Sequence, residues 1–259
     1  MKTKLTIIKI GGNVINDELA LRQFLADFSK VEGKKILVHG GGKIATEVSS
    51  KLGVVTKMHE GRRITTAENL DVVVQIYAGL INKNVVAQLQ KEGCNAIGLT
   101  GADGNSILAV KRPVKEVDFG FVGDVVEVNS ASIHALLEND MTPVFCAVTH
   151  NKEGQLLNTN ADTIAAELAI GMSELYDTEL VYCFEKNGVL MDIEDDHSVI
   201  PIIDSAKYEE LKKENIIHEG MLPKMENCFE ALQKNVGKVI IGNANALRDE
   251  HIPYTTLTL

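Results

Sequence analysis

Residues 5–12, LTIIKIGG, and residues 35–42, KILVHGGG, determine the fold that we predict for this chain. Each stretch is a short apolar run with several β-branched residues, which favours a strand, and each ends in consecutive glycines. Apolar residues then follow at helical spacing. Those after the first stretch are Leu21, Phe24, Leu25 and Phe28, and those after the second are Ile44, Val48 and Leu52. A strand, a glycine turn and a helix, twice in succession, predict an α/β fold whose mostly parallel central sheet is covered by helices.

The rest of the chain supplies further helices and strands. We expect a helix over residues 17–30 with Asn16 as its N-cap, and a long helix that begins at the capping-box sequence Thr65–Glu68. The apolar face of the long helix either packs in the core or serves a dimer. Glycines separate three strand candidates and predict β-hairpins among residues 94–99, 107–111 and 121–128.

The chain is expected to form a single domain with two lobes. Its 259 residues are 45% hydrophobic, which is enough to bury a substantial core. A new series of alternating strands and helices begins with the strand predicted at residues 179–184. We therefore place a boundary within residues 172–178, so that residues 1–174 form one lobe and residues 175–259 the other.

Charge and apolar content exclude several classes of function. The chain has 36 acidic and 26 basic residues, a net charge of −10, and it has no long basic run, so we expect no binding to nucleic acid. The apolar part of the N-terminus is interrupted by Lys9 and a glycine pair, which makes it too short for a signal peptide. No uncharged apolar run approaches the ~18 residues of a membrane span. These features predict a cytoplasmic protein.

The cysteines and histidines give no sign of a disulfide framework or a metal site. Neither a CxxC pair nor an HxxxH pair occurs. We expect free, buried thiols at Cys94, Cys146, Cys183 and Cys228, and no structural metal.

The two glycine turns are candidate anion sites. Ligands of parallel α/β sheets bind at the carboxyl ends of the strands, where glycines let backbone N–H groups approach a phosphate. Residues 40–45 formally fit G-x-G-x-x-A, with Glu60 about 20 residues beyond. That pattern normally follows the first strand of its unit, whereas here another glycine turn precedes it, so dinucleotide binding is disfavoured. The spacing of a P-loop is absent.

Two lysines are candidate partners for a bound phosphate. Lys9 lies within a strand that looks buried, where an unpaired ammonium would be costly. Lys224 follows Pro223 and therefore falls in the first turn of a helix, where a cation opposes the helix dipole unless an anion binds there. From local sequence alone Lys224 also fits a surface position. Similarly, Arg63 also fits a solvated loop, and Asn160 or Asp162 also fits a simple helix cap.

Five segments together resemble the amino-acid kinase superfamily, and within it the kinases that phosphorylate N-acetyl-L-glutamate. They occur in the family's order over nearly the whole chain. The segments are K-I-G-G at 9–12, H-G-G-G at 39–42, G-R-R-I-T at 61–65, E-G-Q-L-L-N-T-N-A-D at 153–162 and G-M-L-P-K at 220–224. The resemblance implies a three-layer αβα sandwich, with the acyl amino acid bound by the N-terminal lobe and ATP by the C-terminal lobe.

The resemblance also implies roles for individual residues. Lys9 and Lys224 would stabilise the transferring phosphoryl group, and Asp162 would hold the two lysines in place. The residues implied for binding the acylglutamate are Gly41, Gly42, Arg63 and Asn158, and those implied for the nucleotide are Gly11, Gly12, Glu185 and Gly188. Mg²⁺ would accompany ATP. Relatives that lack an N-terminal helical extension are typically homodimers without arginine feedback, and this chain reaches its first strand by about residue 5.

The implied reaction agrees with the residues at hand. A glutamate side chain has a pKa near 4.3 and is ionised at pH 7, so it needs no general base. Phosphoryl transfer to it depends mainly on positioning and on neutralising charge. The product would be an acyl phosphate, N-acetylglutamyl 5-phosphate, on the route to arginine.

Two segments depart from the family pattern and leave alternatives open. Residues 184–189, FEKNGV, stand where relatives have Thr/Ser-Asp-Val-x-Gly-Val, and residues 145–150, FCAVTH, replace a run of smaller residues. The departure at 184–189 leaves the nucleotide contacts open. The departure at 145–150 leaves the acyl group open, with N-succinyl-L-glutamate as the alternative substrate. Two other hypotheses are a relative that acts on aspartate, free glutamate or a nucleotide, and a non-catalytic sensor of acylglutamate or nucleotide.

Overall fold

A computed structural model describes residues 2–218, 221–247 and 251–259 of the chain. Its strands are Lys4–Ile10 (β1), Lys34–His39 (β2), Lys57–His59 (β3), Arg62–Ile64 (β4), Ala96–Leu99 (β5), Ile107–Lys111 (β6), Gly123–Val128 (β7), Thr142–Cys146 (β8), Val148–His150 (β9), Leu156–Asn158 (β10), Asp177–Phe184 (β11), Ile202–Ile203 (β12), Lys238–Asn243 (β13) and Thr255–Leu257 (β14). Its α-helices are Gly12–Asn16 (α1), Glu18–Ser29 (α2), Gly42–Lys51 (α3), Ala67–Val74 (α4), Asn82–Lys91 (α5), Ser130–Glu138 (α6), Ala161–Met172 (α7), Ser205–Lys213 (α8) and Leu222–Gln233 (α9).

The described residues form a large, mostly parallel sheet with the strand order β12-β14-β13-β11-β1-β2-β8-β5. The pair formed by β13 and β14 is antiparallel, and the other neighbouring pairs are parallel. Strand β1 is buried at six consecutive positions and β2 at five, which requires cover on both faces of the sheet. This arrangement confirms the predicted α/β class.

The register of the central strands brings residues from distant parts of the sequence together. Lys9 on β1 pairs with Tyr182 on β11 and with Val38 on β2. Helix α7 contacts β1, β2 and β11, and it also contacts α9. The carboxyl ends of β1 and β11 and the N-terminal ends of α7 and α9 therefore meet at one edge of the sheet.

A smaller sheet has the order β10-β9-β6-β7, and β3 pairs with β4. Strands β6 and β7 form the predicted antiparallel hairpin, but β5 does not belong to it. Instead β5 pairs in parallel with β8 in the large sheet, so that part of the hairpin prediction was wrong. The parallel pairing is non-local, which a local turn pattern does not reveal.

Two predicted helix caps are displaced by one residue. Asp17, not Asn16, caps α2 by accepting hydrogen bonds from the N–H groups of Leu19 and Ala20. Thr66, not Thr65, caps α4, because Thr65 is held in extended backbone by hydrogen bonds with Phe119 and Phe121.

The predicted long helix is interrupted by a π-helical segment, Gln75–Ile81, between α4 and α5. The combined helix Ala67–Lys91 has 25 residues and a mean hydropathy of 1.2 over its most apolar stretch. It is therefore long and apolar enough to cross a membrane by length and composition alone, but 44% of that stretch is buried within the protein. Its buried face contributes to the core, as a core helix of this composition does.

The four cysteines are free and buried, which confirms the prediction made for them. Among the described residues, no group of three or more His, Cys, Asp or Glu side chains is arranged to hold a metal ion.

Candidate active site

Lys9 lies at the carboxyl end of β1 and is 9% exposed. Its ammonium nitrogen is 2.7 Å from a carboxylate oxygen of Asp162, which lies at the start of α7. The alternative of a surface lysine on an edge strand is wrong, because β1 is flanked by β11 and β2. The carboxylate offsets part of the cost of burying this ammonium.

Asp162 is free to face Lys9 because another residue caps the helix. The side-chain oxygen of Asn160 accepts hydrogen bonds from the N–H groups of Asp162 and Thr163, at 2.7 and 3.2 Å. Asn160 is therefore the cap of α7. The Asp162 carboxylate does not cap the helix and instead contacts the ammonium group of Lys9.

Lys224 lies in the first turn of α9, as the sequence predicts. Its ammonium nitrogen is 4.1 Å from the centre of the Phe184 ring, and that of Lys9 is 5.5 Å from the same centre. Burial lowers the pKa of Lys224 below its usual value, an effect that Asp162 opposes and Lys9 reinforces. The two ammonium groups thus share one small region. Gly220, which begins the predicted segment 220–224, lies outside the described residues.

A cavity of about 950 Å³ opens on one side of the lysines. It contains all of the residues that the sequence implied for the nucleotide, together with both lysines: Lys9, Gly11, Gly12, Glu185, Gly188 and Lys224. Sequence reasoning did not identify its apolar wall, which is formed by Val14, Val189, Leu190, Met191, Ile193, Ile216, Ile217 and Met221. This combination of a charged end and an apolar wall suits a ligand with an anionic group and a flat apolar ring.

The glycines of this first cavity differ in what they offer a ligand. The N–H of Gly11 donates to the carbonyl of Cys183 at 3.0 Å, so it is already used within the protein. Gly188 is closely packed, because a Cβ there would lie 2.6 Å from Oγ1 of Thr255. Gly11 and Gly188 therefore allow close backbone packing, and the turn at Gly12 is left to approach an anion.

A second cavity, of about 570 Å³, opens beside Lys224 and Asp162. It contains all of the residues that the sequence implied for the acylglutamate, together with two of the three implied catalytic residues: Gly41, Gly42, Arg63, Asn158, Asp162 and Lys224. Lys224 lines both cavities. The second cavity also includes Tyr77 and Arg112, which sequence reasoning did not select.

Gly41 requires glycine on steric grounds. Its φ is +156°, and a Cβ at this position would lie 2.3 Å from Cδ1 of Ile81 and 3.0 Å from Cδ1 of Tyr77. Both neighbours belong to the π-helical segment, and π-helical turns are frequent at functional sites. The unusual helix and the glycine turn therefore fit each other at the wall of the second cavity.

Arg63 is 9% exposed, so the alternative of a solvated loop residue is wrong. Its guanidinium donates to the carbonyl of Gly42 at 3.0 Å and to the hydroxyls of Thr46 and Thr56 at 2.7 and 3.0 Å. Arg63 thus joins β4 to the glycine turn at the start of α3, in addition to lining the cavity.

His39 supports the same glycine turn from within the core. It is fully buried, and burial lowers its pKa to about 4. The side-chain nitrogen of Asn82 lies 3.1 Å from Nε2 of His39 and 2.9 Å from the carbonyl of Val144. Because this nitrogen is a donor, Nε2 accepts, and Nδ1–H donates to the carbonyl of Gly40 at 2.8 Å. A neutral imidazole satisfies both bonds.

Asn158 ends β10 and donates from its side-chain amide to the hydroxyl of Thr65 at 3.0 Å. Its backbone N–H donates to the carbonyl of Phe121. These bonds fix its position at the wall of the second cavity.

Comparisons with known proteins identify the family of this chain. The model of the Amino acid kinase family matches residues 4–243. A protein of Phocaeicola vulgatus named acetylglutamate kinase is 54% identical over 96% of this chain and 97% of its own length. One of Bacteroides fragilis with the same name is 52% identical over 96% of each chain. The crystal structure of N-acetylglutamate synthase from Neisseria gonorrhoeae, complexed with coenzyme A and N-acetyl-glutamate, has a TM-score of 0.81 and 18% identity, covering 99% of this chain and 59% of that one. That last likeness is one of fold.

Proposed function

This chain belongs to the amino acid kinase family, and on that basis we propose that it transfers the γ-phosphoryl group of ATP to the γ-carboxylate of N-acetyl-L-glutamate. The product is N-acetylglutamyl 5-phosphate, an intermediate of arginine biosynthesis. Relatives that are more than half identical over almost their full length are named for this activity.

The observation that carries the proposal is the position of Lys224, which lines both cavities beside the Lys9–Asp162 pair. A kinase with a carboxylate acceptor must bring two anions together. A pair of ammonium groups between a nucleotide cavity and an acceptor cavity reduces the repulsion between these anions where the phosphoryl group crosses.

The mechanism requires no proton transfer from the acceptor. Its γ-carboxylate has an ordinary pKa near 4.3 and is already ionised at neutral pH. We assign to Lys9 and Lys224 the neutralisation of the phosphoryl oxygens, and to Asp162 the positioning of the lysines. Arg63 and Asn158 would bind the acylglutamate, and Gly41 and Gly42 would form the turn that faces it.

Mg²⁺ is proposed to arrive with ATP. The carboxylates that line the first cavity are those of Glu185 and Asp192. This donor set fits Mg²⁺, which is commonly held by one or two carboxylates, phosphates and waters rather than by a full cage of side chains. When bound, the cation supplies further neutralisation of the phosphate charge.

The division of the domain into lobes also belongs to this proposal. We assign acyl-amino-acid binding to residues 1–174 and nucleotide binding to residues 175–259. In support, the second cavity draws mostly on the first lobe and the first cavity mostly on the second. The exceptions are Lys9 and the residues of the first glycine turn, which line the first cavity, and the start of α9 with Lys224, which lines the second.

We further propose that the enzyme is a cytoplasmic homodimer. Leu80, on the π-helical segment, is 51% exposed and offers apolar surface on the long helix. Sedimentation analysis of the purified protein tests the dimer directly, and a monomer at micromolar concentration contradicts it.

A coupled ADP-release assay tests the function. N-Acetylglutamate, N-succinylglutamate, free glutamate and aspartate are offered separately with Mg²⁺ and ATP. The proposal predicts the highest kcat/KM with N-acetylglutamate. A preference for N-succinylglutamate would show that the acyl group of the substrate is succinyl and not acetyl. Turnover of free glutamate alone would contradict an acylglutamate substrate. Absence of turnover with all four compounds would favour a sensor.

A further inference from the structure

Phe184 ends β11 and lines the first cavity beside Lys224, the residue that lines both cavities. Its ring lies beneath the ammonium group of Lys224, 4.1 Å from nitrogen to ring centre, and beneath that of Lys9, at 5.5 Å. Both distances are within the range of about 6 Å in which a cation is attracted to an aromatic face. A single ring thus contacts both cations that the proposed reaction uses.

The ring is itself held in place. It stacks on Tyr182, with 5.9 Å between ring centres and 4° between planes. Tyr182 is fully buried, and its hydroxyl donates to the backbone carbonyl of Asp162 at 2.9 Å. Phe184 is therefore anchored, through Tyr182, to the start of the helix that carries the carboxylate partner of Lys9.

The charged groups around Lys224 only partly stabilise its ammonium group. Burial lowers the pKa of Lys224, Asp162 on α7 raises it and Lys9 on β1 lowers it further. Cys228 on α9 and Glu185 after β11 also raise it. Asp162 is already within 2.7 Å of Lys9. Among the residues that the structure describes, the closest favourable contact of the Lys224 ammonium is thus the face of Phe184, 4.1 Å from its ring centre.

We propose that Phe184 is a positioning residue for the phosphoryl transfer, whose aromatic face holds the ammonium groups of Lys224 and Lys9 at the junction of the two cavities. The inference rests on the proposed function for its kinetic consequences. The Phe184 ring itself takes no part in the chemistry, and acts through the two lysines.

The test compares Phe184→Leu, which removes the aromatic face, with Phe184→Tyr, which keeps it. We expect Phe184→Leu to lower kcat about tenfold, equivalent to about 1.4 kcal/mol in the barrier. The KM for N-acetylglutamate should change less than about twofold, and Phe184→Tyr should stay within about threefold of the wild-type kcat. Phe28→Leu is the matched control, because Phe28 on α2 is a fully buried ring that lies beneath another lysine, Lys35 on β2. It should lower thermal stability without lowering kcat.

A second readout does not depend on catalysis. The pKa of Lys224 is measured from the pH dependence of its modification by acetic anhydride, followed by mass spectrometry. An aromatic face favours the charged amine, so Phe184→Leu should lower this pKa and Phe184→Tyr should leave it unchanged.

Wild-type kcat and an unchanged Lys224 pKa in Phe184→Leu would overturn the inference, as would equal losses in the Leu and Tyr variants. If the wild-type enzyme is inactive but the pKa of Lys224 is still lower in Phe184→Leu than in wild type, the proposed function is contradicted. The contact between the ring and the lysine is then still supported.

Discussion

The ammonium nitrogen of Lys9 lies 2.7 Å from a carboxylate oxygen of Asp162, and both side chains are about nine-tenths buried. Residues so far apart in the sequence meet because β1 lies in the centre of the sheet and α7 packs across its face. Removing one partner of such a buried pair leaves an uncompensated charge, whereas removing both leaves none.

The effects of substituting Lys9 and Asp162 on the free energy of unfolding are therefore predicted to be strongly coupled. Asp162→Ala should lower the free energy of unfolding by about 3 kcal/mol, and adding Lys9→Met should recover much of this loss. Urea unfolding of the two single variants and the double variant measures the coupling. Strictly additive losses would show that the two charges do not depend on each other. The double variant should be stable but inactive.

Arg63→Ala is predicted to weaken mainly the binding of the acceptor substrate. It removes the guanidinium from the second cavity and also releases the carbonyl of Gly42. We expect the KM for N-acetylglutamate to rise at least about tenfold, as for a lost charged hydrogen bond, with a smaller change in the KM for ATP. Arg22→Ala, on the exposed face of α2, is the control. An unchanged KM for N-acetylglutamate would remove Arg63 from the substrate site.

His39 is predicted to make the protein sensitive to acid. Its pKa is about 4 in the folded chain, compared with an ordinary value of 6.5, so the unfolded chain binds the proton more readily. The stability that depends on a neutral His39 is then fully present above pH 6.5. As the pH falls from 6.5 to 4, the free energy of unfolding decreases by up to about 3 kcal/mol.

Unfolding free energies at several pH values in this interval test the His39 prediction. His39→Gln should be less stable at pH 7 but should show a shallower loss with falling pH. His59→Gln is the control, since His59 is exposed on β3. An equal slope in wild type and His39→Gln would assign the acid sensitivity to other groups.

The sequence predicted the architecture where the physical signal is local. Strands β1 and β2 were recognisable because runs buried on both faces are continuously apolar. Lys9 was conspicuous because it interrupts such a run. The pairing of β5 with β8 was missed, because nothing near β5 in the sequence records its distant partner.

The sequence offers candidate residues for the site but not the contacts between them. Residues implied by the family resemblance line the two cavities. Nothing in the sequence places Phe184 beneath two lysines, since that requires the strand order and the position of α9. Tyr77 was missed for a different reason. Its spacing fits an ordinary apolar stripe, and the π-helical segment that brings it to Gly41 has no local signature.

The central claim is that Lys9 and Lys224 neutralise the transferring phosphoryl group between the two cavities. Steady-state kinetics of Lys9→Ala and Lys224→Ala, with the exposed Lys213→Ala as control, test it most directly. We predict that kcat falls at least about 100-fold in each site variant with modest changes in KM, because the contacts are made in the transition state. Near-normal turnover in either variant would contradict the account.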